Sequence, residues 1–307
     1  MFNLNLKYKI KKTIKSIYSD EFDKKIILEA KRLGLKNNKL SKISDLSKVE
    51  FRVFSQWGED GIIDWLINKI KKIPNSFLEI GTEDYKESNT RYLLLNNGWD
   101  GYLIEGDKSA TKKIKQDRIF WKYNLNLAEK YLNLSNFDEI IKELKIPKKI
   151  GLISLDIDGN DYWILQKLKF FKPVIFICEF NPLFGYKKSI SVPYKKIFNR
   201  TKEHYSNLYF GASIKAIQNT LKKEFIFIGT NSAGNNAFFI NKKFKKYIVP
   251  KIKKYKIYRS KFKESRNKSN KLNYLNKKQS INLLKNKKII DLKNNKILTI
   301  KEIINEI

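Results

Sequence analysis

The chain has 307 residues, 42 % of them hydrophobic and 13 % aromatic; that is enough apolar material for a sizeable core and excludes a chain disordered throughout. Its formal net charge of +33 raises nucleic acid or an anionic membrane as partners, but only seven of the 64 basic residues are arginine, the side chain suited to bidentate phosphate and base contacts, so nucleic acid is disfavoured. One cysteine, Cys178, and one histidine, His204, exclude an intramolecular disulfide, a cysteine-based zinc site and any mechanism that needs a pair of histidines.

Residues 1–50 read as a basic helical extension, with Ile10, Ile14, Ile17 and Tyr18 at helical spacing between lysines. Packing on the edge of the domain is the simpler expectation for it, and weak peripheral contact with a membrane surface is the other. No run approaches the roughly 18 apolar residues of a membrane span. The first twenty residues lack the continuous apolar stretch of a secretory leader, so a cytoplasmic location is expected.

Residues 51–245 alternate strand-like and helix-like segments. The strands are expected at Ser76–Ile80, Gly101–Glu105, Ile119–Tyr123, Ile150–Ile157, Val174–Phe180, Phe225–Gly229 and Asn236–Ile240. The middle runs are almost continuously apolar and β-branched, as in a parallel sheet buried on both faces. Helices are expected at Gly61–Ile70, Thr90–Asn96, Phe137–Leu144, Tyr162–Leu168 and Ala212–Lys222. Strand alternating with helix predicts an α/β fold: a Rossmann-like, doubly wound, mostly parallel seven-stranded sheet. The last two strands have no helix between them and are expected to pair antiparallel. Residues 246–307 are a Lys/Asn-rich basic C-terminal tail, expected to be a partly ordered extension with weak helical periodicity at Ile297–Ile307.

Four strand ends carry chemistry-bearing residues. In FLEIGTEDYKESNT (77–90), Glu79 is followed by Gly81 at a strand-to-helix turn, where glycine lets a ligand approach the backbone. The three-glycine pyrophosphate fingerprint is missing, which disfavours NAD or FAD. Glu105 ends the next strand, placed to accept ribose hydroxyls. In SLDIDGND (154–161), strand alternation puts Ser154, Asp156 and Asp158 on one side, where paired carboxylates raise each other's pKa and suit a general base. Asp158-Gly159-Asn160-Asp161 offers oxygen ligands to a divalent cation; the EF-hand glutamate is absent, which disfavours calcium, and a divalent metal is left open but not predicted. Asn160 or Asp161 is also expected to cap the following helix. Glu179 and Asn181 end the fifth strand and face the same crevice.

Taken in order, FSQWGEDGII (54–63), FLEIGTEDYKESNT (77–90), GWDGYLIEGD (98–107), ISLDIDGNDYWIL (153–165), FICEFNP (176–182), YFGASIKAI (209–217) and NNAFFI (235–240) resemble the FkbM-like family of class I methyltransferases. The resemblance implies S-adenosylmethionine as cofactor. It implies that Glu79, Gly81 and Thr82 line the methionine part, that Glu105 holds the ribose, and that Asp107 and Asn124 lie near the adenine. Gln56 or Glu59 would touch the cofactor from the SQWGED segment. Asp156, Asp158 and Glu179 would face the methyl acceptor as the catalytic group, with Asp156 as base, and Asn160, Asp161 and Asn181 would bind substrate. The acceptor it implies is a hydroxyl on a sugar, a polysaccharide precursor or a small metabolite. The sequence departs from the family in Glu83-Asp84-Tyr85, where many members carry Asp-Gly, and in DIDGND, where DVEGxE is common. Three other readings of the same residues are a nucleotide-sugar or NAD-dependent enzyme, a nucleic-acid-binding methyltransferase, and a silent scaffold.

Overall fold

The computed structural model describes residues 21–306. Ile10, Ile14, Ile17 and Tyr18 lie outside them. The first helix, α1 (21–38), belongs to the extension expected to be helical. It is followed by α2 (Glu59–Lys69), β1 (Ser76–Ile80), α3 (Arg91–Asn97), β2 (Asp100–Glu105), α4 (Lys108–Gln116), α5 (Ile119–Lys122), β3 (Leu125–Glu129), α6 (Phe137–Glu143), β4 (Leu152–Leu155), α7 (Asp161–Leu168) and β5 (Ile175–Glu179). Beyond these come β6 (Ile190–Ser191), α8 (Arg200–Glu203), α9 (Ile214–Leu221), β7 (Phe225–Thr230), β8 (Asn236–Asn241), α10 (Lys245–Ile248), α11 (Lys277–Leu283), β9 (Lys288–Asp291) and β10 (Lys296–Thr299).

The main sheet has seven strands in the order β3-β2-β1-β4-β5-β8-β7. β1 to β5 are parallel, and β8 runs antiparallel to both β5 and β7. This is the Rossmann-like doubly wound sheet that the alternation predicts, including the antiparallel closing pair. The chain winds outward from β1 to β3 and returns to place β4 beside β1. The strand order therefore reverses between β1 and β4, the place where open α/β sheets bind ligands.

The continuous apolar runs have a direct cause. Phe77, Leu103, Leu152 and Ile175 point to one face, packed against Ile62, Trp65, Leu66 and Leu94 of α2 and α3. Leu78, Ile104, Ile153 and Phe176 point to the other, against Ile140, Ile164, Leu165 and Ile217 of α6, α7 and α9. The central strands β1, β4 and β5 bury both faces over nearly their whole length, so they read as apolar runs and not as an alternation. Cys178 lies buried in the second cluster, a small core residue.

Two expectations are corrected. Residues 119–123 are not a strand: they form α5, and the third strand begins at Leu125. The aromatic, β-branched run looks extended, but the Asp117 carboxylate accepts from the Ile119 backbone N–H and starts a helical turn. Residues 297–299 are strand, not helix. They pair with β9 in a second sheet of order β10-β9-β6, and a 3-10 helix (Ile300–Glu306) follows. Ile281, Leu284, Ile289 and Ile303 from the C-terminal segment pack there against Phe184, Ile190, Leu208 and Tyr209, from the insertion between β5 and α9. None of the helices in the described residues is long and apolar enough to cross a membrane.

Candidate functional site

A cleft of about 390 Å3 opens at the carboxyl ends of β1, β2, β4 and β5. It is built from two kinds of acid. On the β1 side, Glu79 accepts from the Ser88 hydroxyl at 2.6 Å, the Asn89 backbone N–H at 2.9 Å, the Thr90 backbone N–H at 3.2 Å and the Thr90 hydroxyl. Its carboxylate shapes the loop of residues 81–90, and burial still holds its pKa above the ordinary value. Next to it, Glu105 accepts from the backbone N–H groups of Thr82 and Glu83 at 3.0 and 2.8 Å and of Asp107 at 2.7 Å. Glu105 thus ties the β1 loop to the end of β2.

Gly81 lies where the two halves of the cleft meet. Its φ is +80°, and a Cβ added there would fall 1.6 Å from the Asp156 carbonyl oxygen. Only glycine has both the backbone freedom and the space. On the other side of this contact lie the β4 and β5 acids. Single oxygens of Asp156, Asp158 and Glu179 all fall within 4.8 Å of one another. Burial, then the facing Asp158 and Asp161 charges, push Asp156 well above the usual carboxylate range. Burial, then Asp156 and Asp158, do the same to Glu179. Glu179 Oε2 is buried without a hydrogen-bond partner. Two acids so placed cannot both ionise readily, so the pair holds a proton into the range where isolated carboxylates have lost theirs.

Asp158 stands apart from that pair. Its φ of +54° breaks the strand alternation that would have aligned it with Ser154 and Asp156. Its carboxylate is instead ion-paired with Arg200. Arg200 also contacts Glu264 at 3.0 Å, donates to the Asn207 carbonyl and lies 3.9 Å over the Phe210 ring. Ser154 takes a separate partner, accepting from Asn89 Nδ2 at 3.0 Å.

The remaining expected site residues divide into those that line the cleft and those that build it. Gln56, Thr82 and Asn160 line it. Thr82 Oγ1 is buried and unpartnered, and Asn160 Nδ2 donates to the Lys195 carbonyl at 2.7 Å. Glu59 is fully buried behind the cleft: it accepts from the Trp57 and Gly58 N–H groups and from Asn231 and Asn236 Nδ2. Asp107 caps α4 through the Ala110 N–H. Asp161 does not cap α7 in the expected way, and neither does Asn160; instead Asp161 folds the loop before the helix by accepting from the Ile157 and Gly159 N–H groups. Asn181 is fully buried, donating to the Leu208 and Phe210 carbonyls. Asn124 is the clearest displacement. It sits before β3, at the amino end, and donates to Asp100 at 2.8 Å. Had the strand covered 119–123, Asn124 would have stood at its carboxyl end.

The residues that do follow β3 are Lys130, Tyr131 and Leu132, and they form the β2–β3 wall of the cleft. The Tyr131 ring lies on Gly106, where an added Cβ would meet it at 2.2 Å, so the Gly of the Glu-Gly-Asp turn makes room for the ring. Two further walls come from distant sequence: Lys196, Ile197 and Phe198 before α8, and Phe262 with Glu264 from the C-terminal segment. Phe262 stacks edge-on with Trp57 at 6.1 Å.

The charge of the cleft is opposite to that of the molecule. Eight carboxylates line it, those of Glu79, Glu83, Glu87, Glu105, Asp156, Asp158, Glu179 and Glu264, against three cations, Lys130, Lys196 and Arg200. Two of those cations are already occupied: Lys130 with Glu139 and Glu143, Arg200 with Asp158 and Glu264.

No protein-family profile matches the sequence, and no curated protein matches it. Among solved structures, the chain is similar to the N-terminal domain of EvdMO1 with SAH bound, at 9 % identity and a TM-score of 0.39, over 71 % of this chain and 95 % of that one. It is similar to an S-adenosylmethionine-dependent methyltransferase from Clostridium acetobutylicum at 11 % identity and a TM-score of 0.35, over 60 % and 90 %. The fibrillarin/Nop5p complex matches at 13 % identity and a TM-score of 0.37, over 66 % and 91 %.

Proposed function

We propose that the chain is an S-adenosylmethionine-dependent methyltransferase that methylates a hydroxyl of a sugar or small metabolite. The observation that carries this reading is the sign of the cleft. Eight acids against three cations repel the pyrophosphate of NAD or of a nucleotide sugar, and the glycine fingerprint that would cradle one is absent. A ligand bearing a sulfonium and an ammonium group is complementary to the same field. The residues present fit that cofactor in other ways. Glu105 ends β2, the position from which a carboxylate accepts ribose hydroxyls. Thr82 Oγ1, Glu179 Oε2 and Asn236 Oδ1 are buried cleft-lining atoms with no partner inside the protein.

When bound, the cofactor supplies an electrophilic methyl group, so the protein's part is to align the acceptor and take its proton. Arg200 neutralises Asp158 and keeps it from serving as the free base. The Asp156–Glu179 pair is left to accept the hydroxyl proton, its basicity raised by burial and mutual repulsion. Phe198 and Phe262 give the cleft an apolar wall against which the acceptor can pack.

Calorimetric titration of S-adenosylmethionine, NAD and a nucleotide sugar tests the cofactor. Micromolar binding of the first alone supports the reading. Binding of either pyrophosphate ligand in its place would overturn it and return the chain to the NAD or nucleotide-sugar class.

A further inference from the structure

The acidic cleft has a basic counterpart elsewhere on the molecule. A second cleft, of about 740 Å3, lies between α7, α9, the residues before β6 and the β9–β10 turn. It is the seam between the helical layer of the main sheet and the small sheet. Six lysines line it: Lys169, Lys187, Lys188, Lys215, Lys222 and Lys293. The single carboxylate there, Asp291, is used by its own turn, accepting from the Lys293 backbone N–H and from Asn294 Nδ2. Lys188 pairs with Glu306 and Lys169 donates to Gln166. The other four, Lys187, Lys215, Lys222 and Lys293, have no ion-pair partner among the described residues.

Lysines are common over this whole surface, so their number alone decides nothing. Their convergence on one concavity does. In a chain of net charge +33, gathering unpaired cations around a cleft adds self-repulsion that an anionic ligand would remove. The remaining lining is neutral and mostly hydrogen-bonding, Gln166, Ser189, Asn219, Thr220 and Asn294, with Ala216, Leu292 and the half-buried Tyr162 supplying apolar surface. Amides, hydroxyls and one aromatic face suit the hydroxyls and apolar face of a sugar ring. No arginine lines the cleft and only one aromatic ring does, where nucleic-acid grooves combine arginine with several stacking rings.

We propose that this cleft is a second binding site, for an anionic saccharide bearing carboxylate or phosphate groups. The proposal is independent of the methyl-transfer reading, since it concerns binding at a site that shares no residue with the acidic cleft. The nearest link between the two is the start of α7, where Asn160 faces the acidic cleft and Tyr162 the basic one.

The test is calorimetry on the full chain with four probes: hexagalacturonate, a phosphorylated dextran fragment, neutral maltohexaose and the oligonucleotide dT6. One or both anionic saccharides should bind, with affinity falling as salt rises, and the arm that binds identifies the anion as carboxylate or phosphate. The variant K187Q/K215Q/K222Q/K293Q, altered at exposed positions, should bind about 30-fold more weakly if each contact contributes as a moderately exposed ion pair does. The control K31Q/K71Q/K112Q/K253Q, exposed lysines outside the cleft, should bind as the parent does. The proposal is overturned if maltohexaose or dT6 binds as tightly as the anionic saccharides, if no probe binds, or if the control loses affinity equally.

Discussion

Glutamates and aspartates end the four strands around the switch point, yet the β1–β2 side and the β4–β5 side do different work. Glu79 and Glu105 are held by donors from the loops they shape, Glu79 by Ser88, Asn89 and Thr90, Glu105 by three backbone N–H groups. Asp156 and Glu179 have each other, and Glu179 Oε2 has no donor at all. A carboxylate that receives several N–H and O–H bonds is scaffolding: it fixes loop geometry and turns its remaining lone pairs to a ligand. Two carboxylates that receive few bonds and face one another are poised to exchange a proton. The residue type and strand position are the same in both cases, and the supply of donors makes the difference.

The contact that joins the two sides should be the most sensitive. Gly81→Ala puts a methyl 1.6 Å from the Asp156 carbonyl at a φ of +80°, so the β1 loop and β4 must separate. We expect a loss of about 3 kcal/mol or more in chemical denaturation, with cofactor binding abolished. Parent-like stability in this variant would mean that the two sides are not in contact. Within the β4–β5 side, Asp156→Asn and Glu179→Gln should each lower kcat by about 10²–10⁴-fold while leaving the affinity for S-adenosylmethionine within about threefold, the range of a group that contacts acceptor more than cofactor. The pH profile follows from the raised pKa of both acids. The base forms as a proton leaves the pair, so kcat/KM should rise with pH, and its ascending limb should lie above the ordinary values of 3.8 and 4.5. A limb below pH 4 would assign the proton transfer to another group.

On the β1–β2 side the expected effect is smaller and of the opposite kind. Glu105→Gln keeps one acceptor for the Thr82, Glu83 and Asp107 N–H groups and adds an NH2 that opposes them. Charge-assisted bonds of this type contribute about 1.5–3 kcal/mol, so S-adenosylmethionine should bind about 10- to 100-fold more weakly, with kcat at saturation little changed. Equal losses in kcat would erase the division between scaffold and chemistry.

How much of this could be read from the sequence follows the same physics. The sheet was legible because strands buried on both faces write continuous apolar runs, and because Glu79, Gly81, Glu105, Asp156 and Glu179 stand at the ends of those runs. The β2–β3 wall was not. The run at 119–123 carries strand-forming residues, yet it folds as the short helix α5, preceded by a turn in which the Asp117 carboxylate accepts from the Ile119 N–H. With β3 at Leu125–Glu129, Asn124 lies at the strand's amino end and Tyr131, past its carboxyl end, lines the cleft. Arg200, Phe262 and Glu264 were missed for another reason. They reach the cleft from 42, 104 and 106 residues beyond Asp158, across segments with no periodic pattern to place them. Arg200 did carry one signal, being one of only seven arginines in a chain that uses lysine wherever a solvated cation suffices. The C-terminal strands were hidden by their brevity and mixed pattern: β9 and β10 have four residues each, Ile289 and Leu298 pack against the insertion, and Ile290 and Ile297 on the other face leave no polar–apolar alternation to read.

The smallest effect separates a raised pKa from a function. Asp64, on α2 and outside the cleft lining, is buried and its pKa is pushed up to about 6 by burial, partly opposed by Asn38 and Asn68. Its folded pKa is above the unfolded value of 3.8, so the native state holds this proton more tightly than the unfolded chain. The associated stability is fully present below about pH 4 and is lost as pH rises through about 6. Asp64→Asn mimics the protonated form and should remove that dependence, raising stability at pH 7–8 by on the order of 1–3 kcal/mol in urea titrations, with kcat and cofactor affinity unchanged. The same neutralisation at Asp156 or Glu179 should relieve repulsion in the fold while lowering kcat by the factor given above. If Asp64→Asn also slowed the reaction, an elevated carboxyl pKa in this molecule would no longer distinguish a reactive acid from a buried structural one, and the assignment of the base would rest on the geometry of the Asp156–Glu179 pair alone.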